Sequence, residues 1–151
     1  MEATLAGQQP PTRTARAGTT PAAPSKAALR AGYAMSTLVV LFLLFDSVGK
    51  FMAPPPVVEG TTGLGYDAGH LVPLGVILLA CTLLYAFPRT AVLGAVLLTG
   101  YLGGAVATHL RVWNPLPSHT LFPVYVGVLA WGGLWLRDPR LRALLPLRRR
   151  P

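Results

Sequence analysis

The sequence predicts an all-α membrane protein, a bundle of four transmembrane helices with both termini in the cytoplasm. Of its 151 residues, 52% are hydrophobic and 12% are charged, whereas a soluble domain carries about 25% charged residues. The charges also concentrate near the two ends, and residues 31–136 contain few of them. These few are Asp46, Lys50, Glu59, Asp67, Arg89 and Arg111. Such a region is too poor in charge to be solvated as a water-soluble domain.

Four apolar segments are long enough to cross a bilayer, which takes about 20 residues per helix. They are residues 31–52, 69–87, 90–112 and 118–136. The first contains Asp46 and Lys50, but both lie in its last two turns, where a charge costs less than at the bilayer centre. Between the first two segments, residues 53–68 contain three consecutive prolines and several glycines. This composition predicts an irregular or extended loop.

The two ends of the chain are predicted to be polar tails. Residues 1–30 are rich in Pro, Ala, Thr and Gly, which is typical of a disordered segment. Residues 137–151 are basic, and leucines alternate there with arginines over residues 141–150, which predicts a short interfacial helix. Together with Arg89, the tails place most cations on one side of the bundle, against Lys50 and Arg111 on the other. The positive-inside rule therefore predicts cytoplasmic termini.

The charge distribution and the cysteine content exclude several functions. The cations lie in tails that flank apolar blocks rather than on a folded basic face, so the predicted partner is the lipid bilayer and not nucleic acid. Cys81 is the only cysteine, which excludes an intramolecular disulfide and a paired-thiol redox site. No known metal or catalytic motif is present, so no cofactor is identifiable.

Small residues recur every four positions on the third segment and are predicted to let helices pack closely. One stripe is Ala95, Thr99, Gly103 and Ala107, and the adjacent stripe is Gly100, Gly104 and Thr108. A glycine-lined ligand slot is the alternative interpretation of the same pattern.

The polar residues of the four segments fall at one level, the predicted outer end of the bundle. The candidate pocket residues are Asp46, Lys50, His70, Tyr101, His109, Arg111 and His119. Ionisable groups inside a membrane are expensive and are candidates for function. Tyr101 lies on the face of His109 about 12 Å deeper, at 1.5 Å per residue. Pro123 cannot donate a hydrogen bond to the carbonyl of His119 and leaves that oxygen free at the same level.

Each of these residues also has a purely structural interpretation. Asp46 and Lys50 are placed to neutralise each other, and His70 is placed to cap a helix. His109 and His119 either face each other or border the interface, and Arg111 either marks the interface or holds Asp46. A set of aromatic residues is predicted to form interfacial belts. These are Tyr33, Tyr66, Trp113, Trp131 and Trp135.

Three runs of the sequence resemble the DoxX-like family of small bacterial membrane proteins. They are Phe45–Phe51, Leu97–Arg111 and Ser118–Pro146, within a resemblance that covers about residues 28–147. The resemblance implies a four-helix bundle in a bacterial cytoplasmic membrane. The family takes its name from a subunit associated with a quinol oxidase and with thiosulfate:quinone oxidoreduction, and it supplies no catalytic residue to carry over.

The sequence therefore predicts an accessory or small-ligand-binding membrane protein with an outward-facing polar pocket. The alternative is a quinone-reactive oxidoreductase subunit, in which Asp46, His109 and His119 handle protons and Tyr101 lies near the quinone head group. A minimal transporter is a third interpretation. The expected partners are a larger membrane protein or a second copy of the chain.

Overall fold

The computed structural model describes residues 24–144, and every regular element within that range is helical. The elements are α1 (Lys26–Met52), α2 (Pro55–Gly63), α3 (Leu71–Ala86), α4 (Ala91–Arg111), α5 (Phe122–Arg137) and α6 (Pro139–Leu144). A 3₁₀ turn at Ala68–His70 leads into α3, and a π-helical turn at Leu116–Thr120 precedes α5. With these turns included, α1, α3, α4 and α5 are each long and apolar enough to span a membrane. The predicted all-α fold with four spanning helices is confirmed.

The four long helices pack as a ring. Helix α1 packs against α3 and α5, and α4 packs against the same two helices, so α1 and α4 face each other across the diagonal. The start of α1, the α3–α4 turn and the end of α5 share one end of the bundle, called here the terminal end. The opposite end, called the loop end, carries α2 and the connection between α4 and α5.

Close backbone approach joins the helices near the terminal end. A Cβ atom on Gly32 of α1 would lie 2.8 Å from the carbonyl oxygen of Gly133 on α5. About one helical turn away, the buried Tyr85 hydroxyl donates to the carbonyl of Ala130 at 2.8 Å and accepts from the Ser36 hydroxyl at 3.0 Å. The hydrogen bonds link α1, α3 and α5 in a core from which water is excluded, where such bonds are strong.

The first helix begins earlier than the sequence predicts. We expected a disordered tail through residue 30, but α1 starts at Lys26 because the Ser25 hydroxyl caps it, accepting from the Ala28 amide at 3.2 Å. Such a cap satisfies an amide that has no partner inside the helix. The rest of the predicted tail, residues 1–23, lies outside the described residues.

The prediction of an irregular loop over residues 53–68 is wrong for most of that segment, which forms α2. Pro54 is extended, and the prolines at positions 55 and 56 occupy the first turn. Proline is compatible with this position because the first amides of a helix have no internal partner. The amide of Val58 then donates to the carbonyl of Pro54 at 3.1 Å and establishes the helix.

The fourth span is not the single helix predicted over residues 118–136. It begins with a wide turn in which the Leu121 amide donates to the Leu116 carbonyl at 2.9 Å, five residues back. Regular α-helix starts only at Phe122, with Pro123 in its first turn. Prolines at positions 115, 117 and 123 remove the amides that an uninterrupted α-helix would require.

The basic C-terminal segment continues as a helix over its first residues. In α6, Leu141 is 4% exposed and belongs to the bundle core. The Arg142 guanidinium donates to the carbonyls of Trp135 and Leu136 and so satisfies the end of α5. Leu141 therefore packs on the protein, unlike the lipid-facing leucine that an interfacial helix predicts. Residues 145–151 of the predicted interfacial helix lie outside the described residues.

Candidate functional site

A cavity of about 420 Å³ lies in the loop-end half of the bundle, between the diagonal helices α1 and α4. Helix α5 closes one side, and α2 with the chain that follows it covers the end. Its polar lining consists of Asp46, Lys50, Thr61, Tyr66, Tyr101, Thr108 and His109. The remaining wall is apolar and includes Leu43, Leu74, Leu102, Phe122 and Val126. The volume falls in the range of about 300–1,000 Å³ that is typical of small-molecule sites.

Asp46 and Lys50 form an ion pair on the α1 wall of the cavity. The Lys50 amine donates to the Asp46 carboxylate at 2.6 Å, as their spacing of one helical turn permits. The Lys50 side chain is 14% exposed and that of Asp46 is 38% exposed. The two charges thus neutralise each other, as their spacing in the sequence predicts. Both side chains also line the cavity. One carboxylate uses only one of the three hydrogens that the amine can donate.

His109 and Tyr101 place two further polar groups along the α4 wall. The Asn114 side-chain amide donates to His109 Nδ1 at 2.8 Å, which leaves Nε2 as the donor of the neutral ring. Eight residues deeper, Tyr101 lines the same cavity. No hydrogen bond to the Tyr101 hydroxyl is formed by the residues at positions 24–144. Both rings therefore retain a donor that a bound molecule can use.

His119 lies beside His109 but outside the cavity wall. The two ring centroids are 6.0 Å apart, and His119 is exposed, with Nδ1 at 2.8 Å from the Ser118 hydroxyl. The next residue, Thr120, is buried, and its hydroxyl donates to the Asn114 carbonyl at 3.2 Å. The structure thus brings the two predicted histidines together, one in the cavity wall and one at the surface.

Besides His119, two further predicted pocket residues do not line the cavity. His70 is exposed, with Nδ1 at 3.2 Å from the Asp67 carbonyl oxygen in the turn that opens α3. Arg111 is also exposed, and it donates to the Leu64 carbonyl instead of holding Asp46. Its guanidinium therefore fixes the chain after α2 to the end of α4. Asp46 has Lys50 as its partner, so that interpretation of Arg111 is wrong.

Tyr66 is a cavity residue that the sequence interpretation missed. It was predicted to be a belt residue, but its hydroxyl donates to the Thr108 hydroxyl at 3.1 Å. Thr108 in turn donates to the Gly104 carbonyl at 2.9 Å on its own helix. Because Tyr66 reaches α4 only through the fold of the α2 connection, no local pattern in the sequence indicates the contact.

The glycines of α4 were predicted to pack against a neighbouring helix, and for three of them this is wrong. A Cβ atom added at Gly100, Gly103 or Gly104 would meet no atom within 4 Å. Gly100 and Gly104 line the cavity, and Gly103 lines a second, open groove between α4 and α5. The alternative of a glycine-lined slot describes these positions better.

The remaining candidate ligand groups of the described residues are dispersed. Among residues 24–144, no group of three or more His, Cys, Asp and Glu side chains lies close enough to hold a metal ion. Cys81 is a buried free thiol on α3 and is not part of the cavity wall. The lining offers hydrogen-bond donors and one ion pair beside apolar surface.

A sequence model of the DoxX-like family matches residues 34–133, about two thirds of the chain. This chain belongs to the DoxX-like family. The matched region of this DoxX-like protein contains all the cavity-lining residues, whereas Lys26, Arg137 and the residues of α6 lie outside it. No curated protein and no solved structure matches the chain.

Proposed function

We propose that this DoxX-like protein binds a small amphipathic molecule in the loop-end cavity. The observation that carries the proposal is the convergence of Lys50, Tyr101 and His109 on one cavity of about 420 Å³. Each of the three is a potential donor, and apolar residues form the rest of the wall. Sites of this kind hold the apolar body of a ligand and orient it through a few polar groups.

The arrangement favours a ligand whose head group accepts hydrogen bonds. The Lys50 amine and the Tyr101 hydroxyl come from helices that face each other across the cavity. A flat head group with oxygen acceptors on opposite edges, such as a quinone, matches donors on opposite walls. The apolar residues Leu43, Leu102 and Val126 suit the hydrocarbon portion of the same molecule.

Binding of a short-chain ubiquinone analogue to the purified protein in lipid nanodiscs tests the proposal. We expect His109→Ala to weaken binding about fivefold, since loss of one hydrogen bond costs about 1 kcal/mol and 1.4 kcal/mol is tenfold. His119→Ala is the matched control, because it removes a neighbouring exposed imidazole outside the cavity wall. Absence of binding to the folded wild-type protein would exclude this ligand class, and equal losses in the two variants would contradict a role for His109.

A second pair of variants tests the location of the ligand. Gly104→Leu places a side chain in the cavity, whereas Gly103→Leu places one in the separate α4–α5 groove. Both positions leave room for a Cβ atom, so both proteins are expected to fold. We expect Gly104→Leu to abolish binding and Gly103→Leu to preserve it, and the reverse result would place the ligand in the other groove.

The second candidate function is the quinone site of a larger oxidoreductase assembly. The 6.0 Å separation between the rings of His109 and His119 favours it, because the pair connects the cavity wall to the surface. A quinone takes up two electrons and two protons to become a quinol, and here a partner protein would supply the electrons. Purification in mild detergent tests this candidate. Recovery of a larger membrane protein with redox centres would support it, and recovery of this chain alone would count against it.

A further inference from the structure

Two arginines at the terminal end of the bundle lie over aromatic rings, but only one has its hydrogen bonds satisfied. The Cζ atom of Arg142 is 5.4 Å from the ring centroid of Trp135, and its guanidinium also donates to two carbonyls at the end of α5. The Cζ atom of Arg137 is 5.6 Å from the rings of both Tyr33 and Tyr85. Its Nε and Nη2 atoms are buried and have no hydrogen-bond partner.

Among the described residues, no carboxylate forms an ion pair with Arg137. The Tyr85 hydroxyl donates to the Ala130 carbonyl and accepts from the Ser36 hydroxyl. Asp138 is the acid next to it in the chain, but its carboxylate accepts from the Arg140 amide at 2.8 Å. Within residues 24–144, the one ion pair is the Lys50–Asp46 pair at the loop end. A buried guanidinium with unpaired hydrogens is costly, and aromatic faces offset only part of the cost.

The groups around Arg137 favour an anion as its partner. Tyr33 is 56% exposed, and its hydroxyl makes no hydrogen bond within the described part of the chain. Arg30 is also exposed and lies three residues earlier, on the same face of α1. Tyr33 therefore lies beside Arg137 where α1 meets α5, and Arg30 lies about one turn before Tyr33 on α1. Arginine donates through a planar fork that matches the oxygens of a phosphate group.

We propose that a phosphate group binds at this junction, with Arg137 as its principal donor and Tyr33 and Arg30 as supporting donors. The phosphate of a lipid head group and free inorganic phosphate offer the same chemistry, and the test distinguishes them. Because α1 begins and α5 ends near this junction, the site lies at the depth where lipid head groups occur. The junction is at the opposite end of the bundle from the cavity, so this proposal is independent of the proposed function.

Native mass spectrometry of the purified protein, delipidated and titrated with phosphatidylglycerol or phosphatidylcholine, provides the test. We expect phosphatidylglycerol to be retained, and Arg137→Gln to weaken retention at least about tenfold, the loss typical of a charge-assisted hydrogen bond. Arg140→Gln is the matched control, since it removes the same charge from an exposed residue of α6. Equal losses in the two variants would indicate general attraction to a basic surface and overturn the proposal.

Two further arms complete the experiment. Displacement of the lipid by inorganic phosphate at millimolar concentration would identify the free anion as a ligand, and no displacement would identify the lipid. If Arg137→Gln does not fold, Tyr33→Phe decides, because it keeps the ring over Arg137 and removes only the hydroxyl. We expect Tyr33→Phe to weaken retention about threefold, and unchanged retention in this variant would overturn the proposal.

Discussion

Glycine has opposite structural roles in the two halves of α4. Near the terminal end, Gly94 lies against the backbone of α3, and a Cβ atom there would come 2.6 Å from the carbonyl carbon of Leu84. Near the loop end, Gly104 faces a cavity, and a Cβ atom there would meet nothing. Glycine in one half permits helix contact, and glycine in the other half leaves space. Small residues at helical spacing therefore do not by themselves indicate helix packing.

Among the substitutions that test this contrast, Gly94→Ala is expected to change the stability of the protein most. Its methyl group would collide with the backbone of Tyr85 and Leu84, which cannot rotate away as a side chain would. We expect the free energy of unfolding to fall by about 1–3 kcal/mol, the usual cost of overpacking a dense interior. Reversible unfolding in mixed micelles would measure this change. A variant as stable as the wild type would contradict the close α3–α4 contact.

Replacing one tyrosine by phenylalanine in each half of the bundle compares two hydrogen-bonded hydroxyls. Tyr85→Phe removes a buried hydroxyl that bonds to both Ser36 and Ala130, and we expect a loss of about 1–2 kcal/mol of stability. Tyr66→Phe removes a single partly buried bond to Thr108, and we expect a loss of about 0.5 kcal/mol. The same unfolding measurement serves for both. Equal losses would show that the loop end is as tightly packed as the terminal end.

The smallest expected effect is that of Gly104→Ala. The added methyl group enters open space, and alanine favours helix over glycine by about 1 kcal/mol in water. We therefore expect stability to stay the same or to rise slightly, in direct contrast to Gly94→Ala on the same helix. Thermal unfolding of the two variants side by side would show the difference. Destabilisation by Gly104→Ala would mean that the cavity closes in the membrane.

The sequence predicts the parts of this structure that depend on hydropathy and helical spacing. Four long apolar segments predict the spans, and the one-turn spacing of Asp46 and Lys50 predicts their contact. The shared face of Tyr101 and His109 follows from counting residues along one helix. These features need no knowledge of how the helices pack.

The remaining features depend on tertiary contacts that no local pattern contains. A triple proline is compatible with both an extended loop and the first turn of α2. Tyr66 reaches Thr108 only because α2 returns the chain over the bundle. The glycine stripe of α4 indicates small residues but not whether a neighbouring helix approaches them. Arg137 was counted among flanking cations, since burial between two tyrosine rings cannot be inferred from sequence.

The paired rings of Phe42 and Phe122 have a consequence for how a ligand reaches the cavity. They lie edge to face, with centroids 5.4 Å apart, where α1 meets α5. Both line the cavity, and Phe42 is 36% exposed and Phe122 is 44% exposed. We therefore expect rotation of these two phenyl rings to open a lateral path between the cavity and the hydrocarbon around it. Under the proposed function, occupancy will follow the ligand's mole fraction in the membrane, and its apparent affinity in water will scale with its partition coefficient.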